Sequence, residues 1–297
     1  MKHCAVEKSV TWSVGPQRAL ALDRPRLMGV LNVTPDSFSD GGSYASVESA
    51  VDHAVRMIDD GACIIDVGGE STRPGAVRVG VDEQIARTVP VIQELGRRRD
   101  VLISIDTTSS VVAEAALKAG ADIINDGSAG RDDERMFALA ATRGCGLVLM
   151  HRLTSPQHDA YSDQYVHDPM YEDVVQTVCE FLGERCETAM SHGVDHNAIT
   201  VDPGLGFGKS KEHNFLLIQR MQEIVRMGFP VLSAASRKSF IGAATSVSTP
   251  SNRVIGSTVV SVAHWLCGVR LFRVHDVAAH REALAVAAAI RPAAQTD

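Results

Sequence analysis

The 297-residue chain has few aromatic residues (5%), no closely spaced cysteine pair and no long apolar segment. Its six cysteines are scattered, unlike those of a zinc site or a disulfide framework, so we expect free thiols in a reducing compartment. The most apolar segment, 254–269, is interrupted by Ser257, Ser261 and His264 and is shorter than the ~20 apolar residues that span a bilayer. Residues 1–27 lack the apolar core of a signal peptide. We therefore predict a cytoplasmic protein with no membrane partner.

An excess of positive charge is also absent. The formal net charge of −7 argues against binding to long stretches of nucleic acid, although local basic clusters still suit small anions. No internal repeat, linker or low-complexity stretch divides the chain. Because 45% of the residues are hydrophobic, a chain of this length buries a substantial core. We expect one domain that acts on small molecules.

Short apolar runs separated by helix-like segments dominate the sequence. They lack the in–out alternation of a half-exposed strand, which predicts strands buried on both faces of a parallel sheet. Eight such alternations favour a closed α/β barrel, the (β/α)8 TIM barrel, over an open doubly wound sheet. The runs are Leu27–Val33, Cys63–Val67, Val101–Ile105, Asp122–Asn125, Leu147–Met150, Ala198–Val201, Pro230–Ala234 and Arg270–Val274.

The segments between and around these runs complete the predicted architecture. Residues 46–62 and Ser110–Ala119 have helical spacing of apolar residues, and Gly120 is a favoured helix stop. We predict an N-terminal extension over residues 1–25 that caps the bottom of the barrel. The barrel itself occupies residues 26–290, and 291–297 form a tail.

Polar or charged residues stand at the end of every run. In a barrel these positions point into one cavity at the C-terminal face, where barrel active sites lie. One polar residue after a strand is ordinary turn chemistry, but eight in succession indicate a common site. The residues at these positions are Asn32, Asp66, Asp106, Asn125, Asp126, His151, Asp202, Ser236, Lys238, Arg273 and His275.

Four of the segments at these strand ends suit anion binding or closure over a substrate. Gly29–Gly42 is a polar loop of the kind that closes over a bound molecule. Asp66–Ala76 presents two hydroxyls and a guanidinium, which suits phosphate or carboxylate. Ser236–Ser239 and Arg273–Asp276 place basic side chains near strands seven and eight, where barrels commonly bind phosphate.

The fifth segment, Val201–Ser210, reads VDPGLGFGKS and invites comparison with a phosphate-binding loop. The GxxxxGK[ST] pattern requires a glycine where this chain has Pro203, so it is not that loop. We interpret its three glycines as positions where backbone closely approaches a flat ligand.

These five segments, in this order, resemble bacterial-type dihydropteroate synthases. The resemblance covers about residues 28–277 and is carried by GVLNVTPDSFSDGG, GGESTRPGA, SIDT, IND, VDPGLGFGK, SRKSFIG and RVHDV. It implies a transferase of folate biosynthesis with a TIM-barrel fold. Such an enzyme condenses 6-hydroxymethyl-7,8-dihydropterin diphosphate with 4-aminobenzoate, giving 7,8-dihydropteroate and pyrophosphate, and it is a sulfonamide target.

The resemblance also implies which residues bind the pterin. Asp202 is expected to accept hydrogen bonds from the 2-amino group and ring N–H, with Asn125 and Asp106 completing the polar perimeter. Lys238 is expected to donate to the pterin carbonyl and ring nitrogen. The residues given a catalytic role are Lys238, Asp106 and Arg273.

The remaining implied roles concern the leaving group and the second substrate. Arg273, His275 and Asn32 correspond to the diphosphate end, where Asn32 is also a ligand of Mg²⁺, the expected cofactor. The residues that correspond to the 4-aminobenzoate site are Thr72, Arg73, Pro74, Phe207 and Ser236, with Thr72 also near the diphosphate. The reaction then requires no protein nucleophile: Mg²⁺ assists loss of pyrophosphate, and the aryl amine attacks afterwards.

Three other functions are weighed against this one. A corrinoid-linked methyltransferase pterin domain shares the barrel but has no use for a pyrophosphate site. A non-catalytic pterin-binding paralogue is disfavoured because the residues with implied roles are intact. A Schiff-base aldolase that uses Lys238 is disfavoured because the neighbouring polar groups indicate a charged lysine.

The segment 254–269 is too apolar for a helix with one face in water. We expect it to lie between the barrel and a second copy of the chain, and so predict a homodimer.

Overall fold

The computed structural model describes residues 11–33 and 43–290, with residues 43–46 described as backbone only. Their core is an eight-stranded parallel sheet in which neighbours follow chain order, from β3 beside β4 to β7 beside β8, while β10 lies between β3 and β9. A parallel bridge between Val201 and Val231 joins β8 to the segment entering β9, and thereby closes the sheet into a barrel. The strands are β3 (Arg26–Asn32), β4 (Ile64–Gly68), β5 (Leu102–Asp106), β6 (Ile123–Asp126), β7 (Gly146–Met150), β8 (Ile199–Asp202), β9 (Leu232–Ser233) and β10 (Leu271–Val274).

This architecture confirms the predicted (β/α)8 barrel, and each strand lies within two residues of its predicted bounds. Helices follow the strands and cover the outside of the barrel. They are α1 (Ser43–Asp59), α2 (Val81–Arg98), α3 (Ser110–Ala119), α4 (Arg135–Arg143), α5 (Val174–Ser191), α6 (Lys211–Gln219), α7 (Met221–Val225), α8 (Ser239–Thr245), α9 (Val254–Leu266) and α10 (Val277–Ile290). In the described ranges, no helix is both long and apolar enough to cross a membrane.

Two further strands precede the barrel and were not predicted. β1 (Thr11–Gly15) and β2 (Arg18–Ala21) form an antiparallel hairpin. Trp12, fully buried, donates from Nε1 to the carbonyl of Ala198 at 2.8 Å, just before β8 begins. The hairpin therefore closes the N-terminal end of the barrel. The predicted limits at residues 25 and 290 stay predictions, and residues 1–10 and 291–297 lie outside the described part of the chain.

The barrel interior is apolar at its lower end. One apolar cluster inside the barrel is separate from the larger one between sheet and helices. Because side chains alternate between the two faces of a strand, the interior positions two residues further along lie nearer the C-terminal face. The strand residues of the lower cluster are Met28, Ile64, Leu102, Ile123, Val148, Leu232 and Leu271.

Candidate active site

The interior becomes polar one layer above this apolar cluster. Ile64 is followed two residues later by Asp66, Ile123 by Asn125, and Leu271 by Arg273. The same two-residue period therefore builds both the apolar lower interior and the polar cavity above it. Folding thus brings together side chains that stand far apart in the sequence.

Arg273 lies at the centre of the polar layer. Its Nε donates to Asp66 Oδ2 and its Nη2 to Asp106 Oδ2, both at 2.6 Å. Asn125 Nδ2 donates to the same oxygen of Asp66 at 3.0 Å. Two carboxylates thus fix the guanidinium plane, and its remaining N–H donors are left for a ligand.

Asp66 was placed at a strand end by the sequence analysis but not among the site residues. It is fully buried, and its Oδ1 has no hydrogen-bond partner in the described part of the chain. Its two-residue spacing from the interior Ile64 was the available signal. That spacing places the carboxylate inside the barrel, while its bond to Arg273 spans 207 residues of sequence.

The charges in this layer shift one another's protonation. Burial raises the pKa of Asp106 to about 7, with Asp66 adding to the effect and Arg273 opposing it. Burial opposes the positive charge of Arg273, but Asp66 and Asp106 outweigh it and raise the pKa of the guanidinium. Asp106 therefore changes charge near neutral pH.

Asp202 and Lys238 lie on neighbouring parts of the same cavity. Asp202 is buried, and its Oδ1 accepts a hydrogen bond from the Gly204 N–H at 2.7 Å. Burial raises its pKa. Lys238 Nζ lies 3.9 Å from the centroid of the Phe207 ring, and burial together with Arg273 lowers its pKa to about 8. Asp202 and Asp106 oppose this lowering and favour the charged form of the lysine, which donates hydrogen bonds.

The glycines of Val201–Ser210 are required by the protein's own chain. Gly204 and Gly208 adopt positive φ of 67° and 64°. A Cβ at Gly204 would lie 1.8 Å from the carbonyl oxygen of His151, and one at Gly208 would lie 2.3 Å from the Cβ of Leu153. The sequence analysis interpreted these glycines as positions where the backbone approaches a flat ligand. At Gly204 and Gly208 the backbone instead approaches the segment after β7.

Lys209 holds this glycine-rich segment in place and was missed by the sequence analysis. It is fully buried, and Nζ lies close to three acceptors: His151 Nδ1 at 2.8 Å and the carbonyls of Gly204 and Phe207 at 3.0 Å. Burial and Lys209 lower the pKa of His151 to about 2, so the imidazole stays neutral and accepts from the lysine. His151 thus contacts Lys209 and helps to hold the glycine-rich segment. Nothing in the sequence marks Lys209 as buried, because all of its partners are set by the fold.

Ser236, after β9, and His275, after β10, meet at the end of these two neighbouring strands. The Ser236 hydroxyl accepts from the His275 backbone N–H at 3.2 Å and lies 3.1 Å from His275 Nδ1. Burial, with Arg237 next, lowers the pKa of His275 to about 3, so this histidine is neutral at physiological pH. A neutral imidazole can contact an anion by hydrogen bonding but adds no charge.

The loop after β4 supplies the rim. Thr72 lines one cleft together with Asp106 and Phe207. Arg73 is exposed and forms no ion pair with any residue in the described ranges, so its guanidinium is available to a ligand. Pro74 lies beside it at the rim, and neither residue contacts the Arg273 cluster directly.

Asn32 ends β3 beside β4. Its Oδ1 lies 3.6 Å from the position that a Cβ would take on Gly68, and its side chain has no hydrogen bond within the described ranges. The loop predicted to close over a substrate, Gly29–Gly42, falls largely outside the described residues from Thr34 onwards.

Comparison with known proteins identifies this arrangement. The pterin binding enzyme family matches residues 28–275. A dihydropteroate synthase of Streptococcus pyogenes is 47% identical over 261 residues, covering 88% of this chain and 93% of the relative. The Mycobacterium leprae dihydropteroate synthase is 43% identical over 91% of this chain and 95% of its own length.

Solved structures agree with these relatives. The Xanthomonas albilineans dihydropteroate synthase with 4-aminobenzoic acid superposes with a TM-score of 0.87 at 41% identity, covering 96% of this chain and all of that one. The complex of the enzyme from the same organism with 7,8-dihydropteroate gives a TM-score of 0.82 at 38% identity, over 95% of this chain and 100% of that one.

Proposed function

The chain belongs to the family of pterin-binding enzymes and acts as a dihydropteroate synthase. From this premise we propose how the barrel cavity binds the two substrates and releases pyrophosphate. The observation that carries the proposal is the Arg273 cluster, in which a guanidinium is fixed by Asp66 and Asp106 at 2.6 Å. A pre-oriented cation beside the polar groups of Asp66, Asp106 and Asn125 suits departure of an anionic leaving group.

The pterin lies over the barrel axis with its guanidine-like edge on Asp202. That carboxylate keeps one oxygen on the Gly204 N–H, which fixes its orientation. Asn125 and Asp106 hydrogen-bond the rest of the ring, and Lys238 donates to the carbonyl and ring nitrogen. Any other ring would leave some of these buried polar groups without a hydrogen-bond partner, and that loss of binding free energy provides the specificity for pterin.

The diphosphate lies against Arg273 and His275. Two of the five guanidinium N–H donors of Arg273 are engaged by aspartates, and the other three are free for phosphate oxygens. His275, neutral, adds a hydrogen bond without adding charge. This arrangement stabilises the negative charge that develops as the C–O bond of the substrate breaks, and it favours the synthase over methyl transfer, which generates no such anion.

Asn32 fits the Mg²⁺ ion expected of this reaction. The amide oxygen is a hard donor, and a single protein ligand is sufficient for an ion that takes its other ligands from substrate phosphate and water. In the described ranges, no cluster of three or more His, Cys, Asp or Glu side chains is arranged to hold a metal ion. When bound, Mg²⁺ supplies further neutralisation of the leaving group.

The aminobenzoate approaches from the rim, between Phe207 and the loop that carries Thr72, Arg73 and Pro74. The unpaired guanidinium of Arg73 and the Ser236 hydroxyl suit its carboxylate. This position leaves the aryl amine facing the exocyclic carbon of the pterin. No protein nucleophile takes part: the C–O bond breaks as pyrophosphate leaves, and the pterin ring supports the positive charge. The amine then forms the C–N bond and loses one proton to pyrophosphate or solvent.

Pyrophosphate release by the purified chain tests this scheme. With the pterin diphosphate and Mg²⁺, we expect release that depends on 4-aminobenzoate and that falls on chelation or in Asn32→Ala, which raises the Mg²⁺ requirement. A Leu153→Ala variant, altered outside the proposed ligand contacts, serves as the control. Tight pterin binding without any pyrophosphate release would contradict the scheme and indicate a binding paralogue.

Binding of the pterin is expected to tighten as pH rises through about 7. Burial raises the pKa of Asp106 to about 7, so the group is mostly protonated below that pH and becomes an N–H acceptor above it. The affinity of 6-hydroxymethylpterin, which lacks the titrating diphosphate, is to be measured by calorimetry across this pH range. Asp106→Asn should bind more weakly and give a flatter profile. An unchanged slope in that variant would assign the titration to another group.

We also propose that the enzyme is a cytoplasmic homodimer. Its five described cysteines are free thiols, as expected in a reducing compartment. The dimer contact is the exposed apolar surface of α9 and α10, which pack against each other. Its members are Ile255, Val259, Leu266, Val286 and Ile290, which are 51–80% exposed.

The polarity of α9 supports this contact. Its buried face mixes three polar residues, Ser257, Ser261 and His264, with Val260 and Trp265. Its exposed face is nevertheless apolar, unlike that of a surface helix in a monomer. Ser257 donates to the Arg253 carbonyl at 2.7 Å, and His264 Nδ1 lies 2.7 Å from Ser233 Oγ, so the Ser257 hydroxyl and this ring nitrogen are bound inside the chain. The apolar face is complementary to a second copy of itself across a twofold axis.

Val259→Glu is expected to convert the dimer to a monomer, because it places a charge at the centre of the contact surface. Sedimentation velocity of the wild type and the variant measures this. Val166→Glu, at an exposed valine on the loop before α5, is the matched control and should leave the mass unchanged. A monomeric wild type, or a dimeric Val259→Glu, would contradict the proposed surface.

A further inference from the structure

Arg237 has a strained backbone between two proposed substrate-binding residues, Ser236 and Lys238. Its φ is +63°, in the left-handed region that favours glycine, and only two other non-glycine residues in the described ranges share this feature. A non-glycine residue keeps such a strained backbone conformation only when its contacts hold it there. The surroundings of Arg237 are therefore informative.

Residues of the segment entering α9 and of α9 itself hold the backbone of Arg237. Its N–H donates to Ser257 Oγ at 3.0 Å, and its carbonyl accepts from Arg253 Nη1 at 3.0 Å. Ser257 is itself fixed by its bond to the Arg253 carbonyl. Both backbone polar groups of the strained residue are thus bound.

The Arg237 side chain reaches across to the loop after β10. Nε and Nη2 donate to the two carboxylate oxygens of Asp276 at 2.9 and 2.6 Å. The adjacent pair, Ser236 and His275, joins the same two loops. Two successive cross-links therefore connect the segment after β9 to the segment after β10.

We propose that Arg237 is a positioning residue whose ion pair with Asp276 and left-handed backbone hold Ser236 and Lys238 toward the two substrates. The proposal rests on the synthase activity and on the substrate contacts assigned above to Ser236 and Lys238. Arg237 itself does not touch substrate in this scheme. Its side chain is 30% exposed and that of Asp276 is 20% exposed, so the pair is partly solvated and contributes more to geometry than to stability.

Arg237→Ala and Arg237→Gly separate the two parts of the proposal. Both remove the guanidinium, but only glycine adopts the left-handed backbone without strain. We expect Arg237→Ala to raise KM for 4-aminobenzoate and to lower kcat, so that kcat/KM falls about 100-fold, and Arg237→Gly to recover about tenfold of this loss. Asp276→Asn, which weakens the bidentate pair from the other side, should shift the same constants in the same direction.

The double variant Arg237→Ala/Asp276→Asn should be no worse than Arg237→Ala, because the two residues act through one bond. Arg220→Ala is the matched control: Arg220 forms a bidentate pair with Glu223 and is 31% exposed, but it lies at the end of α6, away from the cavity. It should change thermal stability without changing KM.

Two results would overturn the proposal. Equal losses in the alanine and glycine variants with an unaffected Asp276→Asn would mean that the guanidinium contacts substrate directly. Unchanged KM and kcat per folded enzyme, with only a lower melting temperature, would mean that the pair is merely structural. Failure of the underlying function is distinguishable, since the wild type would then show no aminobenzoate-dependent release of pyrophosphate.

Discussion

Replacing Asp202 by asparagine is expected to lower kcat/KM for the pterin diphosphate by about a thousandfold, because two charge-assisted hydrogen bonds of about 1.5–3 kcal/mol each are lost. The carboxamide of Asp202→Asn keeps one oxygen to accept the Gly204 N–H, so the loop geometry survives while the carboxylate charge does not. The loss should therefore appear in pterin binding and not in folding. Steady-state kinetics with the pterin diphosphate varied, together with thermal melting, measure both.

Asp126→Asn is the matched control for this variant. Asp126 is also fully buried and accepts main-chain N–H bonds, from Ser128 at 2.8 Å and Gly130 at 2.7 Å. It follows Asn125 in the strand, so it faces away from the cavity, and the expectation from the sequence that it points inward is wrong. Its substitution should reduce stability and leave KM for the pterin unchanged. A kcat/KM for Asp202→Asn within about threefold of wild type would remove Asp202 from the pterin site.

Arg273→Met is expected to abolish measurable turnover and to destabilise the fold by about 3–5 kcal/mol, the usual cost of leaving a buried charge without its partner. Asp66 is fully buried and would retain only the Asn125 amide as a donor. The activity is lost because the leaving pyrophosphate no longer meets a pre-oriented cation. Urea denaturation gives the free energy of unfolding, and the pyrophosphate assay gives the rate.

Adding Asp66→Asn to Arg273→Met should restore part of the stability, since it removes the uncompensated carboxylate, but none of the activity. This separation is the decisive feature of the test. If the double variant is no more stable than Arg273→Met, Asp66 is not the group left without a partner. If Arg273→Met still releases pyrophosphate at the wild-type rate, the leaving group lies elsewhere.

Part of the candidate site was predictable because strand periodicity is local. The runs ending at Val67, Ile105 and Val274 are mostly apolar, and each has a charged residue next to its last apolar position, which follows from the two-residue alternation once the strand is assigned. Asp106, Asn125, Asp202 and Arg273 all lie at such positions. Their presence in one cavity then depends only on barrel closure, which eight βα alternations already favour.

Other features were decided by tertiary structure because their partners are remote in sequence. Asp66 becomes a site residue only through Arg273, 207 positions away, and Lys209 becomes a buried anchor only where the segment after β7 supplies His151, 58 positions away. The strained Arg237 is held by Ser257 and Asp276, which reach it through α9 and the end of β10. The sequence by itself determined the barrel, its strands and the chemistry of its rim, since these follow from local alternation and composition. Only packing decided which carboxylates share an arginine and which cations are buried. Desolvation and ion pairing depend on the groups that folding brings next to each charged side chain.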